Sequence, residues 1–260
     1  MEIYKIEDAG KGWIGHWFYF MLTSLSKIPD FGDKRVKICF DREDWTDFQK
    51  ETFEILKKKI EVVSKDKETI FIESVKPTLY CSNDSLIYHV DPSLFDFLRN
   101  LFLSEIDDKF ISGYEKVYIR RNLSHLTQGN AEDTACKNIK RRQLLNEDEL
   151  IPHLEKLGFK CINLEDYHLR DKIRIFYSSS FIIGPNGGGM SFLFASNPNL
   201  KYVEIVTPNP TQYIDHYRDL CRYYEFMFNR YDNIITSDYN GNISIDVNDF
   251  ISYVKDIILK

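Results

Sequence analysis

No stretch of this sequence is apolar for long enough to span a bilayer. The most apolar early run, Trp13–Leu25, is broken by His16 and several hydroxyls. Nor does the chain open with the charged, apolar and small-residue blocks of an export signal, so the expectation is a cytoplasmic, soluble protein with no membrane span. Three Asn-x-Ser sequons, beginning at Asn83, Asn122 and Asn242, carry no weight without export. A net positive charge is also lacking. The formal net charge of −6 argues against general nucleic-acid binding, although a local basic pocket for a phosphorylated small molecule is compatible with it. The five cysteines are scattered and form no C-x-x-C pair, which signals neither a zinc site nor a disulfide framework. Two phosphate motifs are absent: the G-x-x-x-x-G-K-[ST] loop, and G-x-G-x-x-G followed by an acid on the next strand. No D-x-D pair ends an apolar strand, so neither a metal nor another obligatory cofactor is expected.

What is present is the composition of a globular protein, 43% hydrophobic and 28% charged over 260 residues, enough for one large domain or two compact ones. The 16 Tyr and 19 Phe are spread along the whole length, as core-filling residues are. Periodicity reads most clearly in the C-terminal half. Strands are predicted at Lys116–Arg120, Phe159–Ile162, Phe181–Gly184 and Lys201–Val206. Helices at Leu150–Leu157, Leu169–Tyr177 and Gly188–Ala195 fall between them. Asn146 and Glu149 have capping-box spacing, and Gly158 is placed to end the first of these helices. Such alternation implies βαβ units and a parallel sheet. In the N-terminal half, helices are predicted over Trp13–Lys27, Trp45–Lys59 and from Pro92 to about Leu103. Strands there fall at Arg35–Phe40, Ile60–Val63, Thr69–Glu73 and Leu86–Val90. The fold expected is α/β, with an N-terminal domain over 1–110 and a C-terminal Rossmann-like domain over 111–260. The polar stretch Ser104–Glu115 is the candidate linker, and the last helix, Val247–Leu259, is able to pack on either half. The polar segment Asn122–Lys140 reads as a substrate-facing or mobile loop, followed by the basic run Lys140-Arg141-Arg142.

The sharpest chemical feature is Phe181-Ile-Ile-Gly-Pro-Asn-Gly-Gly-Gly-Met-Ser191, an apolar strand followed by three glycines that open a helix. Glycine admits close backbone approach and positive φ, and the free N–H groups of a helix start favour an anion. Gly187, Gly188 and Gly189 are therefore candidates to cradle a diphosphate, with a tight packing turn as the alternative. Glu204, on the next strand, suits a ribose hydroxyl or is a solvated strand-end carboxylate. Arg120 and Arg121 end a strand and Arg141 and Arg142 precede a helix. They are candidates to neutralise a leaving diphosphate or are ordinary surface residues. His16, in an aromatic helix, is either a hydrogen-bonded core residue or a general base.

Taken in order, these pieces resemble glycosyltransferase family 61. The resemblance rests on Gly15-His16-Trp17, Arg120-Arg121, Arg142-Gln-Leu-Leu-Asn146-Glu147, Gly158-Phe159, Gly184-Pro185-Asn186-Gly187-Gly188 and Val203-Glu204-Ile205. It is dense over 116–206 and sparse over 1–115. It implies two Rossmann-like domains facing a cleft, the GT-B arrangement. It also implies inverting transfer of a sugar, xylose or another pentose or N-acetylglucosamine, from a UDP-sugar to a hydroxyl of a glycan or glycoprotein acceptor. On that basis His16 is the catalytic candidate, and Arg121, Arg142, Lys172, Asn186, Gly187, Gly188, Gly189 and Glu204 are the donor-binding candidates. The chain departs from the family pattern at Asn186, where histidine is usual, and at Phe20, where an acid is common. Arg120 replaces a serine and Lys172 a glutamine; both are basic and suited to extra diphosphate contacts. Eukaryotic members are usually anchored in the secretory pathway, so a bacterial or viral enzyme fits better. A nucleotide- or carbohydrate-binding module without catalysis is the alternative, motivated by Asn186 and Phe20. A Rossmann oxidoreductase is disfavoured by the missing G-x-G-x-x-G.

Overall fold

The computed structural model describes residues 2–6, 17–31, 35–40, 45–64, 69–73, 78–82, 85–89, 91, 93–121, 143–206, 216–237 and 242–260. Helices separate the strands over most of residues 116–231 and β2 from β3, and the two larger sheets are parallel throughout, giving the expected α/β fold. The first sheet contains β1 (Ile3–Ile6), β2 (Val36–Phe40), β3 (Ile60–Val62) and β4 (Ile70–Ile72), in the order β3-β2-β1-β4. Strand β1 is its hub, pairing with both β2 and β4, and the periodicity of the sequence does not announce it. Helix α1 (Asp47–Leu56) lies between β2 and β3, and its start is closed by the Thr46 N–H donating to Gln49 Oε1 at 3.1 Å. A short antiparallel hairpin, β5 (Thr78–Ser82) with β6 (Ser85–His89), precedes α2 (Ser93–Leu103).

The second sheet holds β7 (Lys116–Arg120), β8 (Lys160–Asn163), β9 (Phe181–Pro185), β10 (Lys201–Ile205) and β11 (Met227–Tyr231), in the order β11-β10-β9-β7-β8. Helices α3 (Glu147–Lys156), α4 (Leu169–Ser178) and α5 (His216–Tyr223) fall between its strands, and the hairpin β12–β13 (Ile234–Ser237, Ile243–Ile245) and α6 (Val247–Leu259) follow. Both faces are covered, as parallel sheets require. One face presents Tyr118, Phe181, Ile183, Val203 and Ile205 to α3 and α6. Helix α6 thus packs on the second sheet, and Lys201 Nζ holds its C-terminal end by donating to the carbonyls of Ile257 and Ile258 at 3.1 and 3.4 Å.

The opposite face of this sheet, with Val117, Ile119 and Ile182, shares one apolar core with Ile6, Ile38 and Phe40 of the first sheet. Trp17 and Phe18 lie at the heart of that core. They belong to a π-helical turn, Trp17–Leu22, which passes into a 3-10 helix, Thr23–Lys27. The helix expected over Trp13–Lys27 is thus formed in its described part, as a π turn running into a 3-10 helix and not as one α-helix. Trp17 packs among Phe40, Trp45 and Phe53 and donates from Nε1 to Thr52 Oγ1 at 3.1 Å. Phe18 meets Phe102, Phe192 and Phe194 at ring separations of 5.2 to 5.7 Å when the Phe102–Phe194 contact is included.

Polar contacts also join the two halves. Arg99 of α2 donates from Nη1 to the carbonyls of Phe194 at 3.0 Å and Ser196 at 2.6 Å, satisfying groups at the end of the 3-10 helix Gly188–Ala195. Glu51 of α1 sits at the start of α4, accepting from the Leu169 N–H and lying 3.1 Å from His168 Nδ1. The stretch 104–115 forms no helix or strand, yet it is tied down: Ile111 N donates to Ser178 Oγ at 2.8 Å and Arg174 Nε to the Asp108 carbonyl at 2.8 Å.

Two local expectations change meaning. Asn146 does precede α3, but its side chain makes no cap. It pairs with the distant β13, donating to the Ile245 carbonyl at 2.8 Å and accepting from the Ile245 N–H at 3.3 Å. Asn242, the third sequon, is buried and accepts from the Gln143 N–H at 2.9 Å. Gly158 does adopt the left-handed conformation, φ 83°, that ends α3. No helix among the described residues is long and apolar enough to cross a membrane.

Replacing Arg99 with Met keeps an apolar stem and removes both donors to the 3-10 helix end. The expected loss is about 1.5–3 kcal/mol, read as a lower urea midpoint at unchanged m-value. An unmoved midpoint would show that these carbonyls find water instead.

Candidate functional site

In the second sheet the chain runs from β7 outward to β8 on one side, then crosses to β9 and proceeds through β10 to β11 on the other. The connections part between β7 and β9. At such a point the loops leave a crevice beyond the carboxyl ends of the strands, the usual ligand position in open α/β sheets. Arg120-Arg121 leaves β7 there, and Pro185-Asn186-Gly187 leaves β9.

Arg121 bridges the two strand ends. Its Nη1 donates to the Asn186 carbonyl at 2.8 Å. A methyl group at Gly187 would stand 2.7 Å from the same nitrogen, so the absent side chain is what lets the guanidinium lie against the turn. Backbone conformation is not the reason for glycine here: Gly187 is extended, φ 172° and ψ 174°, which any residue adopts. Gly184 and Gly189 serve packing. Added methyls would lie 3.0 Å from Met190 Cε and 3.0 Å from Leu164 Cδ1 respectively. Gly188 is exposed. The run thus combines close packing on either side with an open peptide in the middle.

The helix it opens, Gly188–Ala195, is 3-10 rather than α. Its first bond runs from Met190 N to the Gly187 carbonyl at 2.9 Å, so the N–H groups of Gly187, Gly188 and Gly189 precede the helical ladder. The Gly187 carbonyl also accepts from the Tyr217 hydroxyl of α5 at 2.7 Å. The Asn186 and Gly187 carbonyls are thus both engaged by protein donors, while the three N–H groups ahead of the helix are the donors the turn offers an anion.

Glu204 lies beneath. It is 1% exposed and therefore not the solvated strand-end carboxylate considered above. Arg230, directly opposite on β11, donates from Nε and Nη2 to Oε2 at 2.9 and 2.8 Å, and Asn186 Nδ2 donates to Oε1 at 2.7 Å. A carboxylate withdrawn from water needs such partners. Both oxygens face protein donors, so this acid holds the turn in place.

The remaining candidates divide. Arg120 turns away to Glu147, with Nε and Nη2 each 2.9 Å from Oε2, while the Tyr118 hydroxyl donates to Oε1 at 2.9 Å. Burial and the Glu147 carboxylate push the Tyr118 phenol well above its usual range, so it stays a donor. The extra diphosphate contact expected of Arg120 is thus spent on a structural pair. Lys172 lies in the first turns of α4, beyond the carboxyl end of β8. Burial lowers its ammonium below the usual lysine range, against the carboxylates of Glu51, Glu165 and Asp166, which act in the opposite sense. His16, Arg142 and the segment Asn122–Lys140 lie outside the described residues. Among the described residues no group of three or more His, Cys, Asp and Glu side chains is gathered as a metal site needs.

Arg230 and Tyr217 were not anticipated. A charged residue inside the short strand Met227–Tyr231, beside a strand that carries a buried acid, is the signal that points to Arg230. Tyr217 gives none, because its role comes from where α5 packs.

Replacing Arg230 with Met would leave the Glu204 charge buried and poorly compensated. The expected cost is about 3–5 kcal/mol by urea denaturation. Glu204→Met with Arg230→Met together should restore most of it, and a double variant no more stable than Arg230→Met would contradict the pairing.

A sequence profile described as Glycosyltransferase 61 matches residues 14–203, which takes in β2, β3 and β4 of the first sheet, α2, the Arg121 crossing and the glycine turn. No curated protein matches the chain.

Proposed function

The chain belongs to the glycosyltransferase 61 family and is a glycosyltransferase, and on that premise we propose that it is an inverting enzyme that uses a UDP-sugar. The donor carries xylose, another pentose or N-acetylglucosamine, and the acceptor is a hydroxyl of a glycan or glycoprotein. In this reading residues 111–260 take the nucleotide sugar, residues 1–110 form the acceptor side of a cleft of the GT-B kind, and the enzyme works in the cytoplasm. The observation that carries the donor assignment is Arg121 lying against the Asn186–Gly187 peptide at the switch point of the second sheet.

The chemistry follows from where charge develops. The acceptor oxygen attacks the anomeric carbon from the face opposite the diphosphate, and the bond to the diphosphate oxygen breaks with its electron pair. Negative charge grows on UDP as it departs. The N–H groups of Gly187, Gly188 and Gly189 and the guanidinium of Arg121, joined by Arg142, stabilise it without reorganising. His16 takes the acceptor proton as general base. Asn186 contacts the donor beside the phosphates, and Glu204 supports it from below. Lys172 adds positive charge to the rim, attenuated by the three carboxylates around it.

Arg121→Ala should lower turnover about 10²-fold or more, measured as UDP release across a panel of UDP-sugars with glycan acceptors. A folded His16→Ala protein should lose most of its turnover while still binding UDP, and wild-type rates would remove His16 as the base. If the native chain binds UDP but neither transfers nor hydrolyses any donor, the binding-module reading suggested by Asn186 and Phe20 replaces this one.

A further inference from the structure

The amide of Asn186 is not symmetric in its surroundings. Its Nδ2 donates at 2.7 Å to a carboxylate that is 1% exposed and that Arg230 engages through two nitrogens. An ionised carboxylate only accepts hydrogen bonds. Arg230, itself a quarter exposed, stabilises that ionised form. The amide therefore has one favourable orientation: nitrogen toward Glu204 and oxygen away from it, since the reverse sets two acceptors against each other. Residue 186 is half-buried at the mouth of the turn, one position before Gly187 and two before the exposed Gly188. Its outward atom is thus an acceptor, Oδ1, beside peptides whose N–H groups are donors.

We infer that the buried Arg230–Glu204 pair sets the polarity of Asn186, so that this residue recognises a hydrogen-bond donor of the bound nucleotide sugar, a hydroxyl or N–H, and not a phosphate oxygen. Arg230 acts through Glu204 as a positioning residue, while Asn186 touches the ligand. The division of labour is chemical. Phosphate oxygens accept only and suit the glycine amides and Arg121, whereas a group able to donate suits Oδ1. This rests on the donor site proposed above. The two possible sources of the donor group, the nucleoside and the transferred sugar, share the same chemistry at Oδ1.

The test compares inorganic pyrophosphate, UDP, UDP-xylose and UDP-N-acetylglucosamine in equilibrium binding to the full chain and to two variants. Asn186→Ala removes the acceptor. Glu204→Gln keeps the volume but changes the polarity: its amide oxygen faces Arg230, its nitrogen faces Asn186, and the Asn186 amide turns over. In both variants affinity for UDP or for the UDP-sugars should fall about fivefold to tenfold, the worth of one hydrogen bond, with pyrophosphate within about twofold of wild type. Loss already with UDP places the donor group on the nucleoside; loss only with the UDP-sugars places it on the sugar. If Glu204→Gln does not fold, Asn186→Ala decides alone. Equal weakening of pyrophosphate and of the nucleotides would overturn the inference and leave the donor site standing, as would unchanged binding of every ligand by Asn186→Ala. A wild-type chain that binds none of the four would overturn the donor site and this inference together.

Discussion

Arg121, reaching from the end of β7 to the carbonyl at Asn186 beyond β9, is the contact on which the architecture of the site depends. It joins two strands whose onward connections run in opposite directions, so it spans the crevice that this topology opens. One guanidinium nitrogen engages a carbonyl and cancels part of the negative end of that peptide. The N–H groups that follow, of Gly187, Gly188 and Gly189, precede the first bond of the 3-10 helix. Placing any side chain at Gly187 would push this guanidinium aside, because the space is already taken. Gly187 therefore follows from the arginine, and not from a conformational demand of the turn itself.

Around that contact the protein invests in rigidity. Glu204 and Arg230 face each other across paired strands, and the acid passes the restraint to Asn186. Tyr217 secures the next carbonyl from α5. Arg99 satisfies the far end of the 3-10 helix from α2, and Phe192 and Phe194 of the same helix pack on Phe18. The helix that begins at the glycines is consequently wedged between the two sheets. Under the proposed function, a diphosphate meeting such a turn would find its donors already oriented, which is the condition under which backbone amides stabilise charge effectively.

Much of this was legible in the residues, and what was not has physical causes. Phe181–Pro185 is buried throughout and opens on a continuous apolar run, and Lys201–Ile205 keeps a β-branched and aromatic core despite its Lys and Glu, so the parallel sheet and its glycine turn could be located from pattern alone. Strand β1 is four residues with a lysine inside, and only its pairing with β2 and β4 makes it central. The Trp17–Lys27 segment carries helical periodicity, but dense aromatic packing draws it into π and 3-10 turns. Asn146 shows how local grammar misleads: its spacing to Glu149 is that of a cap, yet its side chain is claimed by Ile245, far along the chain. The same separation hid Arg230, whose meaning appears only when β11 is laid beside β10. Short-range signals located the glycine turn, while the groups that hold it steady are distant in sequence.

The decisive measurement is a crystal structure of the chain with UDP bound, in which diphosphate oxygens should lie about 2.7–3.2 Å from the N–H groups within Gly187–Gly189 and from the Arg121 guanidinium, at the carboxyl ends of β7 and β9. UDP bound at saturation elsewhere on the molecule, with the glycine turn empty, would contradict this placement.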